Sequence, residues 1–141
     1  MIKQLAHLNF FSDQAPKLLD FYVGQLGLKV KFTLDHEDGT PFGWYVDCGN
    51  STFIEIFDQK GAARQWSFQA VELKKGNQYR HLCFEVKDLE GYRQGLEAKG
   101  LAVTKITVGM DHSKQCWIKD PDGNDIELME YTPESYQLRA A

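Results

Sequence analysis

A chain of 141 residues with 43% hydrophobic and 26% charged residues has the size and composition of one ordinary globular domain. Its net charge of −4 and the lack of a Lys/Arg block argue against nucleic acid or an anionic membrane as the main partner. No apolar run approaches the ~18 residues of a membrane-spanning helix and no secretory leader pattern is found, so we expect a cytoplasmic protein.

The first part of the chain predicts the order strand, helix, strand, strand, strand. Alternating side chains predict the first strand at residues 4–11, and a helix follows with Ser12 or Asp13 as its cap. Gly27 stands where the C-terminal cap of that helix belongs. Three further strands are predicted at residues 28–34, 42–48 and 52–57, the last two joined by a hairpin turn at Gly49-Asn50.

The same order recurs after a connection at residues 59–78, which has no clear period and predicts at most one short ordered piece. A strand at 79–86 precedes a helix at 89–99, which Asp88 caps and Gly100 ends. Further strands are predicted at residues 102–107, 113–119 and 125–131, followed by a tail at 132–141. Before the last strand, Asp120-Pro121-Asp122-Gly123-Asn124 predicts a tight turn that sets its register.

The two halves carry equivalent residues at a nearly constant spacing. Gly100 follows Gly27 by 73 residues, His81 follows His7 by 74, and Glu127 follows Glu55 by 72. This repeat predicts a single α+β domain over residues 1–141, with a first module at about 1–58 and a second at about 79–131.

Four polar residues are predicted on one face of the two modules. The apolar positions of the first and last strands should face the helices, so alternation turns His7, Glu55, His81 and Glu127 to the opposite, concave face. Two imidazoles and two carboxylates suit one divalent ion such as Zn²⁺, Ni²⁺, Co²⁺, Mn²⁺ or Fe²⁺. Taken singly, each His would more often be a hydrogen-bonded or exposed residue, and each Glu the solvated face of a strand. Their equivalent places in a repeat favour a metal site.

Several segments resemble the vicinal oxygen chelate superfamily, which has the glyoxalase, bleomycin-resistance and extradiol-dioxygenase fold. The resemblance covers nearly the whole chain. Its motifs are His7-Leu8-Asn9-Phe10, Asp20-Phe21-Tyr22 with Gly27-Leu28, Phe53-Ile54-Glu55-Ile56, Arg80-His81-Leu82-Cys83-Phe84-Glu85-Val86 and Asp120-Pro121-Asp122-Gly123-Asn124-Asp125-Ile126-Glu127-Leu128.

The resemblance implies two βαβββ modules whose mixed sheets curl around a metal held by His7, Glu55, His81 and Glu127. The most similar activity is that of lactoylglutathione lyase, glyoxalase I, which isomerises a hemithioacetal or a similar 2-hydroxycarbonyl compound. In that chemistry the metal polarises vicinal oxygens, and a ligand carboxylate takes and returns the proton. Glu127 is the first choice for this base and Glu55 the second. The resemblance also implies a homodimer.

Other functions of the same fold stay open. An extradiol-type dioxygenase would use His7, His81 and Glu127 as a facial triad for Fe²⁺, although Glu55 would then close a position that O₂ needs. A thiol transferase is a variant with three ligands. A non-enzymatic protein that binds an antibiotic or another small molecule would need no metal at all.

The pocket around the metal is expected to bind a small-molecule substrate. Its predicted lining comprises Asn9, Trp44, Phe53, Phe57, Gln115 and Trp117. Cys83 should face the same cavity without a catalytic role. His36 and His112 are expected in loops, while Trp66, Phe68 and residues 131–136 are candidates for a dimer interface.

Overall fold

The computed structural model describes residues 1, 3–75 and 81–139, and these form two compact units, Met1–Lys74 and Lys75–Ala141. Each unit contains one four-stranded mixed sheet and one main helix between its first and second strands. The predicted α+β fold with two tandem modules is therefore confirmed.

The first unit follows the predicted order closely. Its strands are β1 (His7–Ser12), β2 (Lys29–Asp35), β3 (Pro41–Gly49) and β4 (Thr52–Asp58). Its first helix, α1 (Ala15–Leu19), continues as a π-helix over Asp20–Gln25, and α2 (Gln59–Trp66) follows β4. The sheet order is β1-β4-β3-β2, so the first and last strands of the module are neighbours.

Strand pairing gives the first sheet one face for the helix. β1 runs parallel to β4 with Leu8 opposite Ile54 and Phe10 opposite Ile56. Ile54 and Ile56 are buried, and α1 packs against β1 and β4. These apolar pairs therefore form the helix face of the sheet, as the alternation predicts.

The second unit repeats this arrangement. Its elements are β5 (His81–Glu85), α3 (Leu89–Ala98), β6 (Thr107–Val108), β7 (Lys114–Lys119), β8 (Asp125–Glu130) and a short 3₁₀ turn at Tyr136–Leu138. The order β5-β8-β7-β6 again joins the first strand to the last in parallel. The predicted start of β5 at Tyr79 lies outside the described residues.

Matching ends of α1 and α3 support the repeat. Gly27 and Gly100 have φ angles of +83° and +86°, a left-handed conformation that glycine adopts without strain. Asp88 caps α3, because its carboxylate accepts a hydrogen bond from the Gly91 amide.

The strand predicted at 102–107 is wrong for most of its length, since β6 contains only Thr107–Val108. The Thr104 side chain explains the difference. Its hydroxyl accepts the Trp117 amide proton at 2.8 Å, in place of the main-chain carbonyl that a β ladder would use. A cavity of about 700 Å³ opens beside this irregular segment, and its apolar walls include Leu101, Val103, Trp117 and Ile118.

The connection was predicted to hold at most one short ordered piece, and its described part, residues 59–75, contains the helix α2. Asp58 caps it by accepting the Gly61 amide proton at 2.7 Å. Gln59, only 2% exposed, holds the segment beyond the helix, because its amide both donates to the Val71 carbonyl and accepts from the Val71 amide, each at 2.9 Å. Within the described ranges, no helix has the length and apolar character needed to cross a membrane.

Asp120 organises the turn before β8. One of its carboxylate oxygens accepts the amide protons of Asp122 and Asn124, each at 2.9 Å, and the other accepts the Asn124 side-chain amide at 2.8 Å. Gly123 supplies a φ of +82° in the same turn. The Asp120 side chain therefore fixes where β8 begins, and hence which residues of β8 share a face.

We predict that Asp120→Ala lowers the free energy of unfolding by about 2 kcal/mol, because three hydrogen bonds to a buried carboxylate are lost. Asp120→Asn, which keeps an oxygen acceptor, should lose roughly half as much. Urea denaturation monitored by circular dichroism measures both values. Equal stability of Asp120→Ala and the unmodified protein would contradict this role.

Candidate metal centre

The first unit brings His7 and Glu55 together. Asn9 of β1 lies opposite Glu55 of β4 in the parallel ladder, and His7 lies two residues earlier on the same face. His7 Nε2 and Glu55 Oε2 are 2.8 Å apart. The face that carries these residues, called here the His–Glu face of the unit, is opposite the helix face.

Glu55 is held by a second polar neighbour. Tyr45 of β3 lies directly opposite Glu55, and its hydroxyl donates a hydrogen bond to Oε1 at 2.5 Å. Burial, together with the hydrogen bond to Glu55 and the charge of that carboxylate, raises the pKa of Tyr45 to about 12. The phenol therefore stays protonated as a donor, and both oxygens of the 6%-exposed Glu55 are engaged.

The second unit brings His81 and Glu127 together in the equivalent way. His81 Nε2 and Glu127 Oε2 are 3.1 Å apart. The Trp117 ring contacts the His81 ring edge-on, with 4.7 Å between centroids, and Trp117 lies opposite Glu127 in the antiparallel ladder. These three residues define the His–Glu face of the second unit.

Cys83 lies opposite Glu127 in the parallel ladder of β5 and β8. Burial raises the pKa of the Cys83 thiol to about 12, with further contributions from the charge of Glu127 and a hydrogen bond to it. The group is a neutral thiol near pH 7, not a thiolate nucleophile. Glu127 thus has a histidine and a neutral thiol as polar neighbours, whereas Glu55 has a histidine and a phenol.

Each His–Glu pair fits two neighbouring positions of a metal coordination sphere. Two ligand atoms bonded at about 2.1 Å and at right angles to each other lie about 3.0 Å apart, which the distances of 2.8 and 3.1 Å bracket. A pair alone supplies only two donors. Among the described residues, no group of three or more His, Cys, Asp or Glu side chains is placed to hold an ion. Further ligands must therefore complete the sphere around either pair.

Most predicted pocket residues lie on the His–Glu faces. Asn9, Phe53 and Phe57 share the face of Glu55 by pairing and alternation, and Asn9 also donates a hydrogen bond to the Glu55 carbonyl at 3.3 Å. Gln115 and Trp117 share the face of Glu127. Their contact with a substrate stays a prediction.

Trp44 is the exception, and its predicted place on the concave face is wrong. Trp44 pairs with Ile56 on the helix face, and Tyr45 takes the place opposite Glu55. The cause is a register shift between Asp47 and Gly49, where one extra residue is accommodated near the hairpin turn. If the pairing continued from Gly49 without that shift, Trp44 would lie opposite Phe57 on the His–Glu face. A slip of one residue exchanges the two faces of a strand, so the shift moves Trp44 to the helix face.

Sequence reasoning missed Tyr45 for the same reason. One signal was present, since Tyr45 precedes Trp117 by 72 residues, the spacing that separates Glu55 from Glu127. Applying the repeat to β3 would have placed Tyr45 beside a glutamate. The hairpin spacing alone pointed to the wrong face.

The two other histidines lie outside the His–Glu pairs. His36 lies in the loop between β2 and β3, as predicted. It is buried there against the Phe42 ring and contacts Gln65 Oε1 through Nδ1 at 2.8 Å. His112 lies in a turn, as predicted, and its Nε2 is 3.1 Å from the Tyr136 hydroxyl.

Comparisons with known proteins agree with this architecture. The model of the "Glyoxalase/Bleomycin resistance protein/Dioxygenase superfamily" matches residues 4–128. A lactoylglutathione lyase from Neisseria meningitidis serogroup A is 28% identical over 132 residues, which cover 90% of each chain.

Two solved structures show the same fold. A lactoylglutathione lyase from Agrobacterium tumefaciens is 20% identical, with a TM-score of 0.66 over 92% of this chain and 94% of its own. TnmS3, an antibiotic binding protein from Streptomyces sp. CB03234, is 22% identical, with a TM-score of 0.68 over 93% of this chain and 98% of its own.

We predict that a tyrosine titration of the folded protein contains one phenol with a pKa of about 12 that is lost in Tyr45→Phe. The difference in ultraviolet absorbance between the two proteins isolates this group. Because the folded pKa lies above the ordinary value of 10.0, the phenol contributes its full stabilisation below pH 10 and loses it as the pH rises towards 12.

The same pair of proteins in denaturant serves as the control, where the difference curve should have its midpoint near the ordinary pKa of about 10. A midpoint near 10 in the folded protein as well would show that the hydroxyl of Tyr45 is not bound to Glu55.

Proposed function

The chain belongs to the glyoxalase/bleomycin resistance protein/dioxygenase superfamily, and we propose that it is a divalent-metal-dependent lyase or isomerase of the glyoxalase I type. Its substrate is a small oxygenated molecule, either a hemithioacetal or a 2-hydroxycarbonyl compound. The observation that carries this proposal is the pair of equivalent His–Glu contacts, with an Nε2–Oε2 distance of 2.8 Å in one unit and 3.1 Å in the other.

His7, Glu55, His81 and Glu127 are the proposed ligands of one metal ion. Two imidazoles and two carboxylates suit Zn²⁺, Ni²⁺, Co²⁺, Mn²⁺ or Fe²⁺. The two pairs that complete one centre belong either to one chain or to two chains of a homodimer. When bound, the ion would supply Lewis-acid polarisation of the substrate oxygens.

Glu127 is the proposed general base, and its carboxylate takes a proton from the substrate carbon beside the carbonyl and returns it to the neighbouring carbon. The different surroundings of the two glutamates support this choice. Tyr45 and His7 engage both oxygens of Glu55, which makes Glu55 a fixed ligand. Glu127 contacts His81 through Oε2 and has the neutral Cys83 thiol nearby in place of a phenol, so its carboxylate can exchange partners more readily.

A small-molecule binding protein without catalysis is the second candidate, because the structural neighbour TnmS3 is an antibiotic binding protein. The repeated His–Glu contacts favour the lyase, since a metal-free binding cleft has no need of two such pairs. A dioxygenase is disfavoured, because Glu55 would occupy a position that O₂ and substrate require.

We predict that the protein binds one divalent ion per site, and that His7→Ala and His81→Ala each weaken this affinity by more than about 100-fold. Loss of a partner that only orients a metal ligand costs about 10–100-fold, so loss of a ligand should cost more. Competition with a chromophoric chelator measures the affinity, with Zn²⁺ and Ni²⁺ tested in turn.

His112→Ala is the matched control, because this exposed histidine contacts Tyr136 and not a carboxylate of either pair. Its metal affinity should equal that of the unmodified protein. Absence of metal binding to the unmodified protein would overturn the lyase and favour the binding protein.

We predict that Glu127→Gln lowers kcat by about 10²–10⁴-fold at saturating metal, the contribution typical of a general base. Glu55→Gln should lower kcat less, because its role is to hold the ion. Hemithioacetals of methylglyoxal with several thiols, glutathione among them, are the substrates for this assay. Turnover by Glu127→Gln at the rate of the unmodified protein would refute the assignment of the base.

A further inference from the structure

We propose that an aromatic wall beside the His7–Glu55 pair binds a planar apolar group of the substrate. The wall consists of the exposed rings of Phe11, Trp66 and Phe68 over the buried ring of Phe57. The inference rests on the proposed function, in which the polar end of the substrate lies at the metal. It specifies that this substrate carries an aromatic substituent next to its vicinal oxygens, and not merely a methyl group.

The position of the Phe57 ring, at the base of the wall, depends on Gly43. Phe57 lies opposite Gly43 in the β3–β4 ladder, and a Cβ atom at Gly43 would come within 2.7 Å of the Phe57 ring. The Phe57 ring therefore lies directly over the Gly43 backbone, in space that any other residue would fill. From there it contacts Trp66 and Phe11, with centroid distances of 5.4 and 6.1 Å.

The upper part of the wall is exposed. Phe68 stacks on Phe11 with centroids 5.7 Å apart and ring planes only 24° apart. Phe11 is 39% exposed, Phe68 is 38% exposed and Trp66 is 51% exposed. Adjoining exposed aromatic rings are uncommon on a protein surface and typically mark a binding site.

The wall is also preorganised. Trp66 is the last residue of α2, whose start is capped by Asp58. Gln59 ties Val71 to the same helix by two hydrogen bonds, which fixes the segment that contains Phe68. A ligand therefore meets aromatic rings whose positions are already determined, so less conformational entropy is lost on binding.

The wall lies next to the proposed metal ligands on the same face of one sheet. Phe57 follows Glu55 by two residues of β4, a step of about 6.6 Å along a strand. Phe11 lies opposite Phe57 on β1, and β1 also carries His7. A substrate with its oxygens at His7 and Glu55 can thus direct a ring towards the exposed Phe11 and Phe68.

The chemistry of the wall selects the kind of substituent. None of its four side chains is charged, and its single polar atom is the indole nitrogen of Trp66. Flat apolar groups gain from stacking on such rings beyond the effect of buried area alone. We therefore assign the wall to an aryl substituent of a 2-hydroxy or 2-oxo compound.

Mandelate and lactate test the assignment with the metal-loaded protein, because both offer the same vicinal oxygens and differ only in a phenyl or a methyl group. By titration calorimetry, mandelate should bind at least about tenfold more tightly than lactate. In Phe68→Leu and Phe11→Leu, which keep apolar volume but remove the flat ring, the ratio should fall to about twofold, with lactate affinity and metal affinity unchanged.

Val71→Ala is the matched control, because it lies in the same segment with an exposed side chain and its main-chain bonds to Gln59 stay intact. The ratio of its mandelate affinity to its lactate affinity should equal that of the unmodified protein. Equal affinities for mandelate and lactate would overturn the aryl subsite and leave the metal-dependent function intact. Failure of the metal-loaded protein to bind mandelate would also overturn the aryl subsite, while the metal-binding and turnover assays decide the lyase separately.

Sedimentation of the same proteins tests whether the wall instead contacts a second copy of the chain. A dimer that becomes a monomer in Phe68→Leu, while the ratio of affinities stays unchanged, would show that the wall is a subunit interface and would overturn the proposal. An unchanged oligomeric state together with a lowered ratio supports it.

Discussion

The parallel pairing of the first strand with the last strand is the constraint on which each module depends. It makes neighbours of residues about 46 positions apart in the chain, so that a histidine near the start of β1 or β5 meets a glutamate of β4 or β8. Parallel neighbours require a crossover, which α1 and α3 provide on the helix face. The opposite face is thereby left to carry polar side chains.

The repeat preserves this backbone while the surrounding side chains differ. Tyr45 and Trp117 occupy equivalent places opposite the two glutamates, as do Asn9 and Cys83. One glutamate therefore accepts a strong hydrogen bond from a phenol, and the other lies among an indole, an imidazole and a thiol. Duplication thus supplies two similar carboxylates, and the different residues around them create the difference in environment on which the roles proposed for Glu55 and Glu127 depend.

Much of the fold and the key pairs could be predicted from sequence, because alternation and spacing are local or repeated signals. The two helix-ending glycines followed from them, as did the shared face of the histidine and the glutamate within each unit. The side-chain hydroxyl of Thr104 in place of a ladder carbonyl could not be foreseen, since it depends on contact with a distant strand. The two hydrogen bonds between the Gln59 side chain and the Val71 main chain could not be foreseen either. They fix the segment in which Phe68 contacts Phe11. The face of the sheet on which Trp44 lies could not be predicted, because it depends on a single extra residue in β3 whose position the periodicity of the sequence does not reveal.

That extra residue between Asp47 and Gly49 has a consequence for how this hairpin tolerates change. A ladder without a bulge transmits every insertion at the turn along the whole strand and turns all its side chains over. The bulge absorbs one added residue between Asp47 and Gly49, so Tyr45 lies opposite Glu55 although Gly49 pairs with Thr52 at the turn. The register at the outer end of the β3–β4 hairpin therefore differs by one residue from the register around Glu55.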